Sequence, residues 1–405
     1  MTMRSAAPSH PVRDTAFTHR GLAAAHARLA ARDDAIIRAQ ITIAQIPAPT
    51  GEEHERGGWV ARRFGDSGLA DIHTDAVGNV IGRRAGVEEG PAVVLCAHLD
   101  TVFPRETNLS VRRDGERLIG PGINDNGRGL AVMLALASEI DGARIRPRRP
   151  IEFVATTGEE GAGDLRGAKH YFGDRGRDAF AMVALDGAGD ERIIHRALGS
   201  RRFRVSYAGP GGHSWAAFGV PNAVHAAAGA AARLASLPLP TNPRTTLSVG
   251  RIGGGLSVNS IPDAAWLEID LRSTSTTQLD ETERTIHRIA QVAADEENGK
   301  RALGTRALSL RIESIGSRPC GETSVDHALV RAAVEATRLV GRHPDLALAS
   351  TDANVPISQG IPAIAIGAGG RGGDAHTRAE WFDNIHGTVG VARALTIVMT
   401  AAELA

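Results

Sequence analysis

The sequence predicts an α/β fold: a central mixed, largely parallel sheet covered by helices, with a smaller α+β domain inserted. Three observations predict it. Short strands and helices alternate over residues 1–198 and again over 314–405, the grammar of an α/β domain. Apolar runs such as AVVLCA (92–97) and FAMVAL (180–185) lack polar alternation, as strands covered on both faces do. Residues 199–313 change grammar. Their strands alternate polar and apolar residues, in the order strand, helix, strand, strand, helix, strand, which is a split βαβ, ferredoxin-like unit.

The elements follow in order. Residues 1–20 read as a loose leader. Leu29, Ile36, Ile37, Ile41 and Ile43 mark one helix over 21–46. IPAPTGEE (46–53) reads as a turn, with Thr50 as N-cap and Glu53 at capping-box spacing for a helix running to Gly68. Strands lie in ADIHTDAVGNVIGRR (70–84), PAVVLCAHLD (91–100), PIEFVATTG (150–158) and AFAMVALD (179–186), with helices at 127–140 and 166–172 between them. In the insert, strands SRRFRVSYAG (200–209), TTLSVGRIGGG (245–255), AAWLEIDLRST (264–274) and ALSLRIESIG (307–316) alternate with helices at 222–237 and 278–297. The first grammar then returns with a helix at 324–341, the strand IPAIAIGAG (361–369) and a last helix at 384–404.

Bulk numbers exclude several classes. At 405 residues the chain exceeds one comfortable core and fits two domains. Forty-six basic residues balance 46 acidic ones, so no electrostatic argument favours nucleic acid or an acidic membrane. Aromatic residues make up 4%, too few to interleave a basic stripe. Cys96 and Cys320 are the only cysteines, which makes neither a disulfide framework nor a thiolate zinc site. No stretch nears the ~20 apolar residues that span a bilayer. The first residues lack the apolar core of a secretory signal, so the cytoplasm is the expected compartment.

Most apolar runs that read as buried strands stop at, or just before, a His, Asp or Glu. These termini supply His98, Asp100, Asp125, Glu159, Glu160, Asp186 and His376. Ligands of open α/β sheets gather outside the carboxyl ends of strands. Carboxylates and imidazoles crowded there repel unless a cation holds them. His98 and Asp100 are two apart in extended chain and point the same way, so Asp100 can accept the ring N–H that a metal leaves free. Asp125 stands in a glycine-rich turn before a helix, and His376 in a glycine-rich loop before another. Adjacent Glu159 and Glu160 diverge, which suits one for ligation and the other for facing a water. His98, His376, Asp125, Glu160 and Asp186 form a mixed N/O donor set suited to zinc, with cobalt or manganese as substitutes. Five ligands exceed one zinc site but suit two ions about 3.5–4 Å apart. Glu159 then remains as the base.

HLDTV (98–102), the GxxDN of 122–126 before a helix, TTGEEG (156–161), LDG (185–187), GGHS (211–214) and AHTRAEWFD (375–383) resemble, in order and spacing, the dinuclear zinc metallopeptidase family of peptidase T, carboxypeptidase G, dipeptidases, aminoacylase and the acetylornithine and succinyl-diaminopimelate deacylases. The resemblance runs from about residue 30 to 400. It implies that His98 and Asp186 hold one zinc, that Glu160 and His376 hold the other, and that Asp125 bridges. Glu159 would be the base and Asp100 would orient His98. It also implies a cis peptide at Asp125–Asn126 and an inserted lid or dimerisation domain, hence a homodimer. His213, in GPGGHSW, would stabilise an oxyanion. Asn259 and Arg272 match positions that bind the polar end of a substrate, and Asp352 and Asn354 lie in a substrate-side loop. A turn histidine at His213, a strand-edge salt bridge at Arg272 and loop capping at Asp352 and Asn354 are the structural alternatives.

Asp186 favours the peptidase branch, since the acyl-amino-acid deacylases commonly carry Glu there. Hydrolysis of a di- or tripeptide is the expected activity, with an N-acyl amino acid amidohydrolase or a carboxypeptidase as the alternative. A nucleotide-binding oxidoreductase is excluded: GAGD (187–190) and GAGGRGG (367–373) do not follow GxGxxG spacing into a helix.

Overall fold

The computed structural model describes residues 20–140 and 145–404. The leader expected over 1–20 lies outside the described residues except for Arg20, which begins the first helix. The chain divides into two compact units: residues up to Ala197 together with those from Glu322, and Leu198–Gly321.

In the first unit the sheet runs in the order Ala70–Thr74, Val80–Arg84, Ile151–Thr156, Val93–His98, Ala181–Leu185, Ala363–Ile366, Arg192–Ala197, with Asp345–Ala349 also beside Arg192–Ala197. Val93–His98 lies parallel to both Ile151–Thr156 and Ala181–Leu185, and Ala363–Ile366 is parallel to the latter. Every residue of Val93–His98 is buried. Its alternate side chains serve two cores: Val93, Leu95 and Ala97 join one cluster, and Val94 and Cys96 another. Gly127–Glu139 and Gly387–Ala401 are buried nearly all round, as helices laid against such a sheet must be.

Register fixes the chemistry at one edge. His98 pairs with Thr156, and Cys96 with Ala184. His98, the Thr157–Glu160 turn and Asp186 therefore leave the sheet at the same level.

The second unit is a four-stranded antiparallel sheet in the order Thr245–Gly254, Ala264–Ser273, Gly199–Ala208, Ser309–Arg318. The helices Ala223–Ala235 and Thr276–Gly299 share its core. Strands and helices follow the order expected from the sequence.

Four expectations need correction. The return to the first grammar at 314 falls inside the strand Ser309–Arg318, whose pairing continues to Arg318 opposite Ser200. A bulge between Ser314 and Gly316 breaks the alternation there and hides the last residues of the strand. The helix expected over 21–46 is two helices, Arg20–Ala31 and Asp33–Ala44, parted at Arg32. Asp33 and Asp34 open the second, where acidic side chains suit the helix dipole. The capping box at 50–53 does not form, because both side chains have distant partners: Thr50 Oγ1 donates to Asp100 Oδ2 at 2.8 Å, and Glu53 Oε1 accepts from Gly158 N at 3.0 Å. The loop after His376 leads into a three-residue strand, Trp381–Asp383, before the last helix. This strand belongs to a small sheet with Arg371–Gly373, Arg117–Ile119 and Arg112–Asp114.

Candidate metal centre

His98 ends its strand almost fully buried. Its Nδ1 lies 3.1 Å from the Asp100 carbonyl oxygen and 3.5 Å from Asp100 Oδ1. A carbonyl only accepts, so Nδ1 carries the proton and Nε2 faces the site. Nε2 stands 3.0 Å from Asp125 Oδ1 and 3.9 Å from Asp186 Oδ1.

Asp100 is fully buried and does more than accompany His98. Its Oδ1 accepts from Glu159 N at 2.9 Å, and its Oδ2 from Glu160 N at 3.0 Å and from the Thr50 hydroxyl. The turn bearing both glutamates thus hangs on one carboxylate. Glu53, from an earlier helix boundary, holds the same turn at Gly158.

Asp125 occupies a turn that only glycine neighbours permit. Gly122 has φ +69, and a Cβ there would meet Thr101 Cγ2 at 2.9 Å. The Asp125–Asn126 peptide bond is cis, at the position the resemblance gave. Asn126 Oδ1 accepts from Gly129 N and from Gly187 N, both at 3.1 Å, and its Nδ2 donates to the Leu185 carbonyl. One side chain therefore caps a helix and ties the Asp125 turn to the strand end that bears Asp186.

His376 approaches from the other side on an irregular loop, with φ +66 and its side chain about half exposed. Its Nε2 lies 2.8 Å from Glu160 Oε1 and 3.2 Å from Asp125 Oδ2. The Asp125 carboxylate thus presents one oxygen to each imidazole.

Electrostatics register the crowding. Burial pushes the Asp125 carboxyl up, but bonds from His376 and His98 outweigh it and hold it well below the usual range. Burial and the Asp125 charge push Asp186 up to about 7 and also raise Glu160. Burial lowers His98, yet Asp100 and Asp125 raise it well above the usual histidine range. Hydrogen bonding to Asp125 and the charge of Glu160, against burial, raise His376 to about 9. The carboxylates of Asp100, Asp125, Glu160 and Asp186 gather about two imidazoles, an excess of acidic groups in a largely buried place. Ligand atoms of His98, Asp125 and Glu160 lie within 4.8 Å of one another. Nitrogen and oxygen donors of this kind fit a divalent transition-metal ion.

Of the other expected residues, Asp352 is buried and accepts from Thr156 Oγ1, beside the last residue of the His98 strand pair. Asn354 is buried and its Oδ1 accepts from Thr351 N, so it caps its own loop. His213, Asn259 and Arg272 belong to the second unit. Exposed His213 pairs with Ser260 in a two-residue ladder, and its Nδ1 accepts from Trp215 N. Asn259 is exposed and its carbonyl accepts from Ser214 N. Arg272 lies on an interior strand and pairs with Asp270 at 2.6 Å.

One functional residue escaped the sequence reading. Glu380, inside the AHTRAEWFD motif, is fully buried. Its Oε1 accepts from Asn124 N and Asp125 N, both at 2.8 Å, and its Oε2 from Gly122 N at 3.2 Å. Burial, working against those amides, pushes it up to about 7.

The model of peptidase family M20/M25/M40 matches residues 94–400. The chain belongs to that family. The resemblance read from the strand-end motifs is thereby borne out, and this M20/M25/M40 chain is an enzyme of the amidohydrolase type. It is 27% identical, over 72% of its length and 78% of the relative, to a putative succinyl-diaminopimelate desuccinylase of Mycobacterium tuberculosis. The solved aminopeptidase PepT of Bacillus cereus superposes with a TM-score of 0.72 at 23% identity, covering 91% of this chain and 98% of that one. A tripeptidase of Staphylococcus aureus gives 0.74 at 23% identity with the same coverage. At that identity the two structures speak for the fold, a mixed α/β domain with a separate antiparallel unit.

Proposed function

We propose that this enzyme cleaves an amide bond of short peptides, di- or tripeptides, with two zinc ions per chain. The observation that carries the reading is the Asp125 carboxylate, one oxygen toward His98 Nε2 and the other toward His376 Nε2. A carboxylate so placed suits a bridge between two cations. His98 and Asp186 would hold one cation, Glu160 and His376 the other, with cobalt or manganese as substitutes. Bound there, the pair would polarise the substrate carbonyl and acidify a water.

The side chains then divide the work. Glu159 takes the proton of the attacking water and returns it to the leaving nitrogen. Asp100 holds His98 through Nδ1 and keeps the Glu159–Glu160 turn in place. On the family resemblance, His213 stabilises the oxyanion, while Asn259, Arg272, Asp352 and Asn354 meet the substrate. A homodimer through the inserted unit is supported by Trp215, Phe218, Leu256 and Val258, large apolar side chains exposed on the two loops beside the His213 ladder. No described helix is long and apolar enough to cross a membrane, and we place the enzyme in the cytoplasm.

Asp186 and the names of the two solved relatives favour peptides. The name of the mycobacterial relative favours a second reading, removal of an acyl group from an amino acid nitrogen. The test is metal analysis with a panel of di- and tripeptides beside acetylated and succinylated amino acids. We expect about two ions per chain, peptide hydrolysis, and loss of activity with chelator. Turnover of acylated amino acids alone would replace the first reading with the second. Full activity after exhaustive chelation would sink both.

A further inference from the structure

We infer that Glu380 is a positioning residue of the metal centre, clasping the turn that carries Asp125 and tying it to the loop that carries His376. The inference rests on the two-cation reading above. Glu380 holds the turn by four bonds. Its carboxylate takes the backbone N–H of Gly122, Asn124 and Asp125, and its own carbonyl takes Gly120 N at 2.9 Å. Three of those donors sit just ahead of the helix Gly127–Glu139, where amides have no partner inside the helix.

The other end of the clasp is equally short. Glu380 follows His376 by four residues, and two turns, Thr377 N to Asp374 O and Glu380 N to Thr377 O, take up the intervening chain. Trp381 then pairs with Ile119, on the strand that leads into the Asp125 turn. The 3.2 Å approach of His376 Nε2 to Asp125 Oδ2 is therefore set by Glu380 from behind both residues. A purely space-filling role would suit an apolar side chain, which would spare the desolvation of a buried carboxylate. Three converging N–H groups around the residue that faces both imidazoles instead define where the Asp125 oxygens stand.

The test compares wild type, Glu380→Gln and Glu152→Gln, each stripped and titrated with cobalt. Glu152 is a buried carboxylate of the same unit, held by Arg175, Arg83 and Tyr171 and outside the metal centre. In Glu380→Gln the amide NH2 must face Gly122 N, donor against donor. We expect its cobalt affinity to fall about 10- to 100-fold and its visible absorption band to shift. Glu152→Gln, though its melting temperature falls, should bind cobalt as wild type does. Unchanged affinity and band in Glu380→Gln would overturn the role. Equal loss of affinity in Glu152→Gln would overturn it too, by showing general softening. Those results leave the two-cation reading standing, whereas a wild-type chain that binds no cobalt removes that reading and this role with it.

Discussion

The two imidazoles of the candidate metal centre stand on opposite kinds of support. His98 ends a buried parallel strand, 3% exposed, with Nδ1 fixed by Asp100. His376 sits on a loop at positive φ, its side chain 51% exposed, and among the described residues its Nδ1 makes no hydrogen bond. Sheet register alone delivers His98, Asp186 and the glutamate turn to one level. His376 depends on strands only three residues long and on Glu380. One bank of the site is part of the core, and the other is mounted on it.

The largest effect should test a residue that belongs to neither bank as a ligand. Glu159→Gln should lower kcat by about 10²- to 10⁴-fold while metal analysis finds the wild-type content. Loss of metal would make Glu159 a ligand and blur the division into two banks. Next, urea melts of metal-free variants should separate the imidazoles. His98→Ala removes a buried side chain and the ring N–H that the Asp100 carbonyl accepts, at about 2–3 kcal/mol, whereas His376→Ala, at a half-exposed side chain, should cost less, about 1 kcal/mol. Equal losses would erase the contrast.

A smaller effect concerns pH. Asp186 and Glu380 are raised to about 7 and His376 to about 9 in the folded chain. Raised groups bind more protons folded than unfolded, so their stabilisation is full below the unfolded values, near 4 for the acids and 6.5 for the histidine. It is lost as pH climbs through about 7 and then about 9. The chelated protein should therefore melt at steadily lower temperature between pH 5 and pH 9, and metal should flatten that slope. A rising slope would refute the assignment. The smallest effect is expected at the mount of His376. Arg117 forks onto Asp383 at 2.8 and 2.7 Å and stacks on Trp381. Its side chain is about two-fifths exposed, so Arg117→Ala should leave the melting temperature nearly unchanged but quicken release of metal to a chelator. An unaltered release rate would show that the small sheet does not support His376.

The difference between the banks also explains what the sequence disclosed. The His98 bank was legible because buried strands announce themselves as apolar runs, and their termini can be read in order. Helix and strand order in the second unit was legible too, whereas Arg192–Ala197 and Asp345–Ala349 of the larger sheet went unread. Glu380 was not legible, although it stands inside a quoted motif, because a glutamate beside two aromatic residues looks like any surface acid until the fold brings Gly122, Asn124 and Asp125 around it. The small sheet escaped because three-residue strands carry no period. The split at Arg32 and the commitments of Thr50 and Glu53 escaped because tertiary partners overrode local helix signals. The end of Ser309–Arg318 was lost at a bulge.

The clasp between residues 120–125 and 376–380 has a consequence for biosynthesis. A ribosome releases His98, Asp125, the glutamate pair and Asp186 long before the segment that fastens them. Through the making of the whole inserted unit the nascent chain offers an acidic half-socket with neither His376 nor its anchor. On the proposed reading, durable capture of metal then waits for the segment 376–380, and a chain halted before His376 would also lack Val391, Leu395 and Val398 of the core.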